Sequence, residues 1–112
     1  MVKYFNVEYL FEAVYFIESQ EVEVQNKIYY NITKAQHTRD PELFKKLAGS
    51  EIWEFRTLYK GKKYRLFSFW DSKRRAYVIC THGIIKKTDK TPQKEIEKAE
   101  QIRKQYLANY GK

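Results

Sequence analysis

The sequence predicts an α+β fold: two N-terminal helices and a short third helix, an antiparallel or mixed twisted sheet of four to five strands, and a C-terminal helix. Three observations predict it. Over 8–35 apolar residues recur at three-to-four spacing, which is a helical period. From Glu51 the rhythm changes to two and the residues turn aromatic, as in strands. Thr91-Pro92 then restores the helical spacing. With 112 residues, 43% hydrophobic and 17% aromatic, the chain suffices for one packed domain over 1–112.

Each element has its own signal. Residues 2–7 alternate weakly and predict a short first strand. Over 8–17 the pairs Tyr9/Leu10, Ala13/Val14 and Phe16/Ile17 predict a helix. Ser19 stands where it would cap a second helix over 20–36, with Val24, Ile28, Ile32 and Ala35 on one stripe. Asp40-Pro41 predicts the short helix: Leu43, Phe44 and Leu47 face inward, and Gly49 takes the left-handed C-terminal position. The sheet follows as strand 52–58, a hairpin connection at 60–63, return strand 64–70, a polar turn at 71–75 and strand 76–81. That last strand is apolar on both faces, which predicts a central place. Thr91 and Pro92 open the closing helix, whose stripe is Ile96, Ala99, Ile102 and Tyr106.

Composition narrows the function. One cysteine forbids an internal disulfide, and Cys80 reads as core. Two histidines and that cysteine cannot supply the four N/S ligands of a structural zinc site. The basic half holds no carboxylates at ligand spacing, so neither a metal nor a cofactor is expected. No run reaches the roughly 18 apolar residues of a membrane span, and no cleavage signal follows the apolar start. A cytoplasmic protein without a membrane partner is expected.

The formal charge is +8, unevenly spread: residues 1–54 carry six cations and nine anions, residues 55–112 sixteen and five. Eleven cations against two anions crowd into 56–90. Such asymmetry marks a surface for a polyanion, with nucleic acid ahead of an acidic protein or an anionic membrane.

Strand alternation gathers the candidates. Trp53, Phe55 and Thr57 share one face; Ile52, Glu54, Arg56 and Leu58 share the other. With the aromatics against the helices, Glu54 and Arg56 lie on the open face, and Arg65 comes beside them across the hairpin. Glu54 and His82 are the titratable candidates for proton transfer. A structural ion pair for Glu54 and a turn-holding hydrogen bond for His82 stand as alternatives. Lys60, Lys62, Lys63, Arg74, Arg75 and Lys90 read as exposed cations that attract RNA. Tyr64, Trp70 and Tyr77 read as core, with base stacking open to one of them.

The run Leu47-Ala-Gly-Ser-Glu-Ile-Trp-Glu-Phe-Arg56, then Tyr64-Arg65, then His82-Gly-Ile-Ile-Lys86-Lys87-Thr88-x-Lys90-Thr91-Pro92-x-x-Glu95-Ile96, resembles the phage-derived, HigB-like branch of the RelE toxin superfamily. The likeness spans about residues 40–107. It implies a RelE-like fold and the toxin of a type II toxin–antitoxin system: a ribosome-dependent, metal-independent endoribonuclease acting on mRNA. It also implies a cognate helix-turn-helix, HigA-like antitoxin as partner. In such chemistry the RNA 2′-hydroxyl attacks the adjacent phosphate, so the protein supplies proton transfer and cations. By resemblance Arg65 clamps the phosphate, Lys86 or Lys87 is the basic residue at the strand end, and Arg56 orders the site. Better-studied RelE members carry lysines where this chain has Ile52 and Glu54, which leaves the general base open between Glu54 and His82. The alternative is a non-catalytic nucleic-acid-binding or antitoxin-docking module of phage origin.

Overall fold

The computed structural model describes residues 2–110. Its elements are β1 (Asn6–Tyr9), α1 (Phe11–Glu18), α2 (Val22–His37), β2 (Phe44–Lys46), β3 (Trp53–Tyr59), β4 (Lys62–Trp70), β5 (Tyr77–Lys86) and α3 (Gln93–Tyr110). The five strands form one mixed sheet in the order β1-β5-β4-β3-β2, with β1 parallel to β5 and every other pair antiparallel. The α+β expectation holds, with three helices rather than four.

The sheet separates two cores. On one face α1 and α2 bury Ala13, Ile17, Val24, Ile28, Ile32 and Ala35 against Phe55, Leu66, Val78 and Cys80. On the other, α3 covers Ile52, Phe67, Phe69 and Ile79 with Ala99 and Ile96. Each helix buries only one stripe, and the β4 run is buried from Tyr64 to Phe69 because helices cover both its faces.

The short helix at 40–49 does not form. Asp40 does start a turn, its Oδ1 accepting the Glu42 N–H at 2.9 Å and its carbonyl accepting from Leu43 and Phe44. The chain then straightens into β2, where Phe44 stacks on Phe55 at 4.3 Å and on Trp53 at 4.8 Å. Two helical turns are marginal by themselves, and pairing with β3 plus three stacked rings outweighs them. Gly49, at φ +75°, serves the β2–β3 turn.

Smaller differences have equally local causes. Pairing of the first strand begins at Asn6, because Tyr4 bonds Gln36 at the end of α2 while Phe5 enters the core. Ser19 closes α1, its hydroxyl donating to the Phe16 carbonyl, and does not cap α2. β4 holds the centre of the sheet, with β5 beside it. β5 also runs on past Thr81 to Lys86, through a bulge at Thr81: Phe67 pairs with His82 but Ser68 pairs with Cys80. The hairpin connection tightens to Lys60-Gly61, both at positive φ (49° and 80°), the two-residue turn whose twist matches the strands.

Candidate functional site

Register places the candidates. Arg56 pairs with Arg65, Glu54 with Phe67 and Phe67 with His82, so Glu54, Arg56, Arg65 and His82 all project to the α3 face. One row further out Lys63 stands opposite Lys86. Like charges directly across a ladder repel, and here two such pairs are stacked. The opposing charge comes from Glu54.

Glu54 lies beneath the cations, its Oε1 3.5 Å from Arg56 Nε and 3.4 Å from Arg65 Nε. The Thr91 hydroxyl donates to Oε2 at 3.3 Å, which pins the approach to α3 onto the carboxylate. The face predicted as open is therefore roofed at this point: the Glu54 residue is 3% exposed. Neither Arg56 Nε nor Arg65 Nε makes an aligned hydrogen bond, so Glu54 holds both by charge. Arg65 is itself buried, with Nη1 donating to the Tyr64 carbonyl at 3.3 Å.

Arg56, Arg65, Lys63 and Lys86 border one cavity of about 290 Å³, completed by Glu42, Thr57, Leu58 and Asp89. Burial lowers the Lys86 pKa; Glu54 pulls it back up, and Arg65, Arg56 and Lys63 lower it further. Burial also lowers that of Arg65, against the pull of Glu54, though an arginine stays charged. Asp89, on the connection from β5 to α3, places Oδ1 3.3 Å from Lys63 Nζ, so a carboxylate occupies the rim of this cationic hollow.

The remaining candidates lie elsewhere. His82 is buried and borders a different cavity, of about 430 Å³, with Glu12, Phe16 and Lys98. Its Nε2 is 3.0 Å from Glu95 Oε1 and its Nδ1 3.0 Å from the Thr81 hydroxyl. Burial lowers its pKa, with Glu95 opposing. The Thr81 hydroxyl also lies 3.3 Å from the Phe67 carbonyl, to which it donates, so His82 is held from both ring nitrogens. Lys87 and Lys90 are exposed on the connection that also carries Asp89. Lys60 and Lys62 border a third cavity, on the hairpin side near Glu21. Arg74 and Arg75 sit in the β4–β5 connection, at the opposite end of β4 from Lys63. Arg74 is engaged there: Glu8 takes two of its N–H groups at 2.8 and 2.7 Å, Asp71 a third at 3.0 Å, and the Tyr77 ring lies 4.3 Å away.

Sequence reading gathered Arg56, Arg65 and Lys86 and missed Glu42 and Asp89. No periodic signal points to those two, since each becomes part of the cavity only through the path of a connection. Thr91 carried a helix-cap signal, yet its hydroxyl goes to Glu54. Among the described residues no three His, Cys, Asp or Glu side chains gather as metal ligands do. No helix among them is long and apolar enough to cross a membrane.

A mixed five-stranded sheet with helices on both faces fits, at a coarse level, the RelE-like class of α+β proteins. Residues 15–104 match the phage-derived Gp49-like proteins (DUF891), a family of RelE/toxin-like proteins, and the chain belongs to that family. No curated protein matches it.

Proposed function

We propose that this chain is a HigB-like toxin that cuts mRNA on the ribosome through attack of the 2′-hydroxyl on the adjacent phosphate. The observation that carries the reading is the meeting of Arg56, Arg65, Lys63 and Lys86 around one half-open cavity over a buried carboxylate. Membership of the Gp49-like family supports it independently. Arg65 and Arg56 neutralise the charge that builds on the phosphoryl oxygens, where fixed donors count for most. Glu54 is a positioning residue: both its oxygens are engaged, and it holds the two guanidinium groups side by side. Lys86, at the cavity wall, is the proton donor to the departing 5′-oxygen, its lowered pKa moving it toward the working range, while the 2′-hydroxyl proton passes to solvent water at the cavity mouth. Lys87 and Lys90 extend the cationic surface along the bound strand, and the protein works in the cytoplasm. A helix-turn-helix antitoxin encoded beside this chain neutralises it.

A second reading has its own observation. Neither Glu54 nor His82 is free to face the cavity, which favours a module that binds RNA without cutting it. Induced expression separates the two. The toxin reading expects growth arrest, with discrete ribosome-dependent ends in primer extension on cellular mRNA. Arg65→Ala combined with Lys86→Ala then relieves the arrest by at least about 100-fold in plating efficiency, in line with loss of electrostatic and proton-transfer contributions. Intact message under full expression of the unaltered chain refutes the nuclease and leaves the binder.

A further inference from the structure

A cavity of about 500 Å³ lies on the α1–α2 side of the sheet, at the edge formed by β2. Its walls are rings: Phe44, Trp53 and Trp70, with Phe5 and Tyr4 at the back. Phe44 lies near-parallel to Trp53 and to Phe55, while Trp70 meets Trp53 edge-on at 6.1 Å. The charged groups at this aromatic mouth are Arg39, whose guanidinium carbon is 4.8 Å from the Tyr4 ring, and Asp40, whose Oδ2 makes no hydrogen bond among the described residues. A purely apolar occupant leaves Arg39 and Asp40 unused. A nucleobase fits all of it: a flat π-face for the rings, and an edge carrying acceptors for Arg39 and donors for Asp40.

Position argues the same way. Asp40 and Pro41 line this cavity, and the next residue, Glu42, lines the cationic one, so the turn at 40–42 is the wall between them. Trp53 and Arg56 lie three residues apart on β3, about 10 Å along the strand and on opposite faces of it, so a ligand reaches both only round the β2 edge. Lys45 and Lys46 stand exposed on β2 at the sheet edge, opposite Glu54 and Trp53, where a strand crossing that edge would carry its phosphates. Single strands are bound by cationic grooves combined with aromatic platforms, and here the two are joined round the β2 edge.

We propose that the aromatic cavity beside β2 is a nucleobase subsite, taking a base of single-stranded RNA whose backbone passes over the β2 edge from the phosphate site at Arg65. That the base belongs to RNA rests on the nuclease reading; that the cavity takes a base does not. Both tryptophans of the chain line the cavity, so tryptophan emission of the full protein reports on it directly. The titrants are the four ribonucleoside monophosphates, with ribose 5-phosphate as the ligand lacking a base. Saturable quenching by at least one nucleotide and none by ribose 5-phosphate is expected. Arg39→Ser should weaken it by about threefold or more, the scale of a lost cation–π or polar contact. Lys104→Gln, an exposed charge on α3 away from both hollows, should leave it within about twofold. Three results overturn the proposal: nucleotides that behave like ribose 5-phosphate, quenching indifferent to Arg39→Ser, or quenching weakened as much by Lys104→Gln as by Arg39→Ser. A concentration-dependent emission shift with doubled mass in light scattering, and no nucleotide response, overturns it in favour of a second copy of the chain. Cleavage is scored separately, so quenching that persists in a protein that does not cut mRNA sinks the nuclease alone.

Discussion

His82 and Glu54 show how burial decides what a titratable residue does. Both sit on the face that carries the cations, yet Glu54 spends its oxygens on Arg56, Arg65 and Thr91, and His82 faces Glu95 and Thr81. Glu12 and Lys98, from α1 and α3, also act on His82, the first favouring and the second opposing its charged form. Burial lowers the His82 pKa below its ordinary 6.5. A base whose native pKa is depressed is protonated more readily in the unfolded chain, so its contribution is full above 6.5 and is lost as pH falls through the native value. Thermal unfolding followed by circular dichroism should therefore show Tm falling as pH drops below about 6.5, ahead of the general titration of carboxylates near 4. His82→Gln should flatten that part of the profile. A fall that persists unchanged in the variant assigns it to another group. The C2 proton of the His82 ring, followed by NMR, should titrate with its midpoint below 6.5.

At the scale of elements, the strands and the long helices were legible because their periods run for a turn or more. β3 alternates as read, and the stripe of Val24, Ile28, Ile32 and Ala35 is the buried face of α2. The 40–49 segment was not legible: Asp-Pro signals the start of a turn, and only the partner strand decides whether the turn propagates. The extension of β5 through His82-Gly83 was hidden for a related reason. Glycine weakens a strand signal, and here it is needed for what lies above it. A Cβ on Gly83 would stand 2.3 Å from Phe16 Cδ2 and 2.6 Å from Cγ, near the root of the ring, so the ring cannot simply swing aside. Phe16 packs against the core beneath α1. Gly83→Ala should thus lift α1 from β5 and cost about 1–3 kcal/mol, the range for overpacking, read as a lowered urea midpoint. An unchanged midpoint means that α1 shifts freely, contrary to its packing on β5.

Over the whole molecule, the charge asymmetry resolves into groups with different fates. Arg74 is consumed by Glu8 and Asp71 at one end of the sheet, and Lys63 is partly offset by Asp89 at the other. Around the Arg65 cavity and the β2 edge, the group over Glu54 and the exposed Lys45, Lys46, Lys87 and Lys90 are left to meet a polyanion, while the exposed Lys60, Lys62, Lys73 and Arg75 lie at the hairpin and at the far end of the sheet. Raw counts over 56–90 could not separate these, because whether a cation is already paired depends on residues distant in the chain, such as Glu8 for Arg74. Counterion release makes the difference measurable. Binding of a short labelled single-stranded RNA, read by fluorescence anisotropy across a salt series, should follow log affinity against log salt with a slope of roughly −0.7 per phosphate engaged. Phosphates paired with Arg56, Arg65 and Lys86 give about −2 by that rule. Arg65→Ala with Lys86→Ala should flatten the slope by about 1.4, whereas Arg75→Gln, at the far end of the sheet, should leave it unchanged. If Arg75→Gln changes the slope as much as the double variant does, the RNA lies across the opposite end of the molecule and the Arg65 cavity is not its phosphate site.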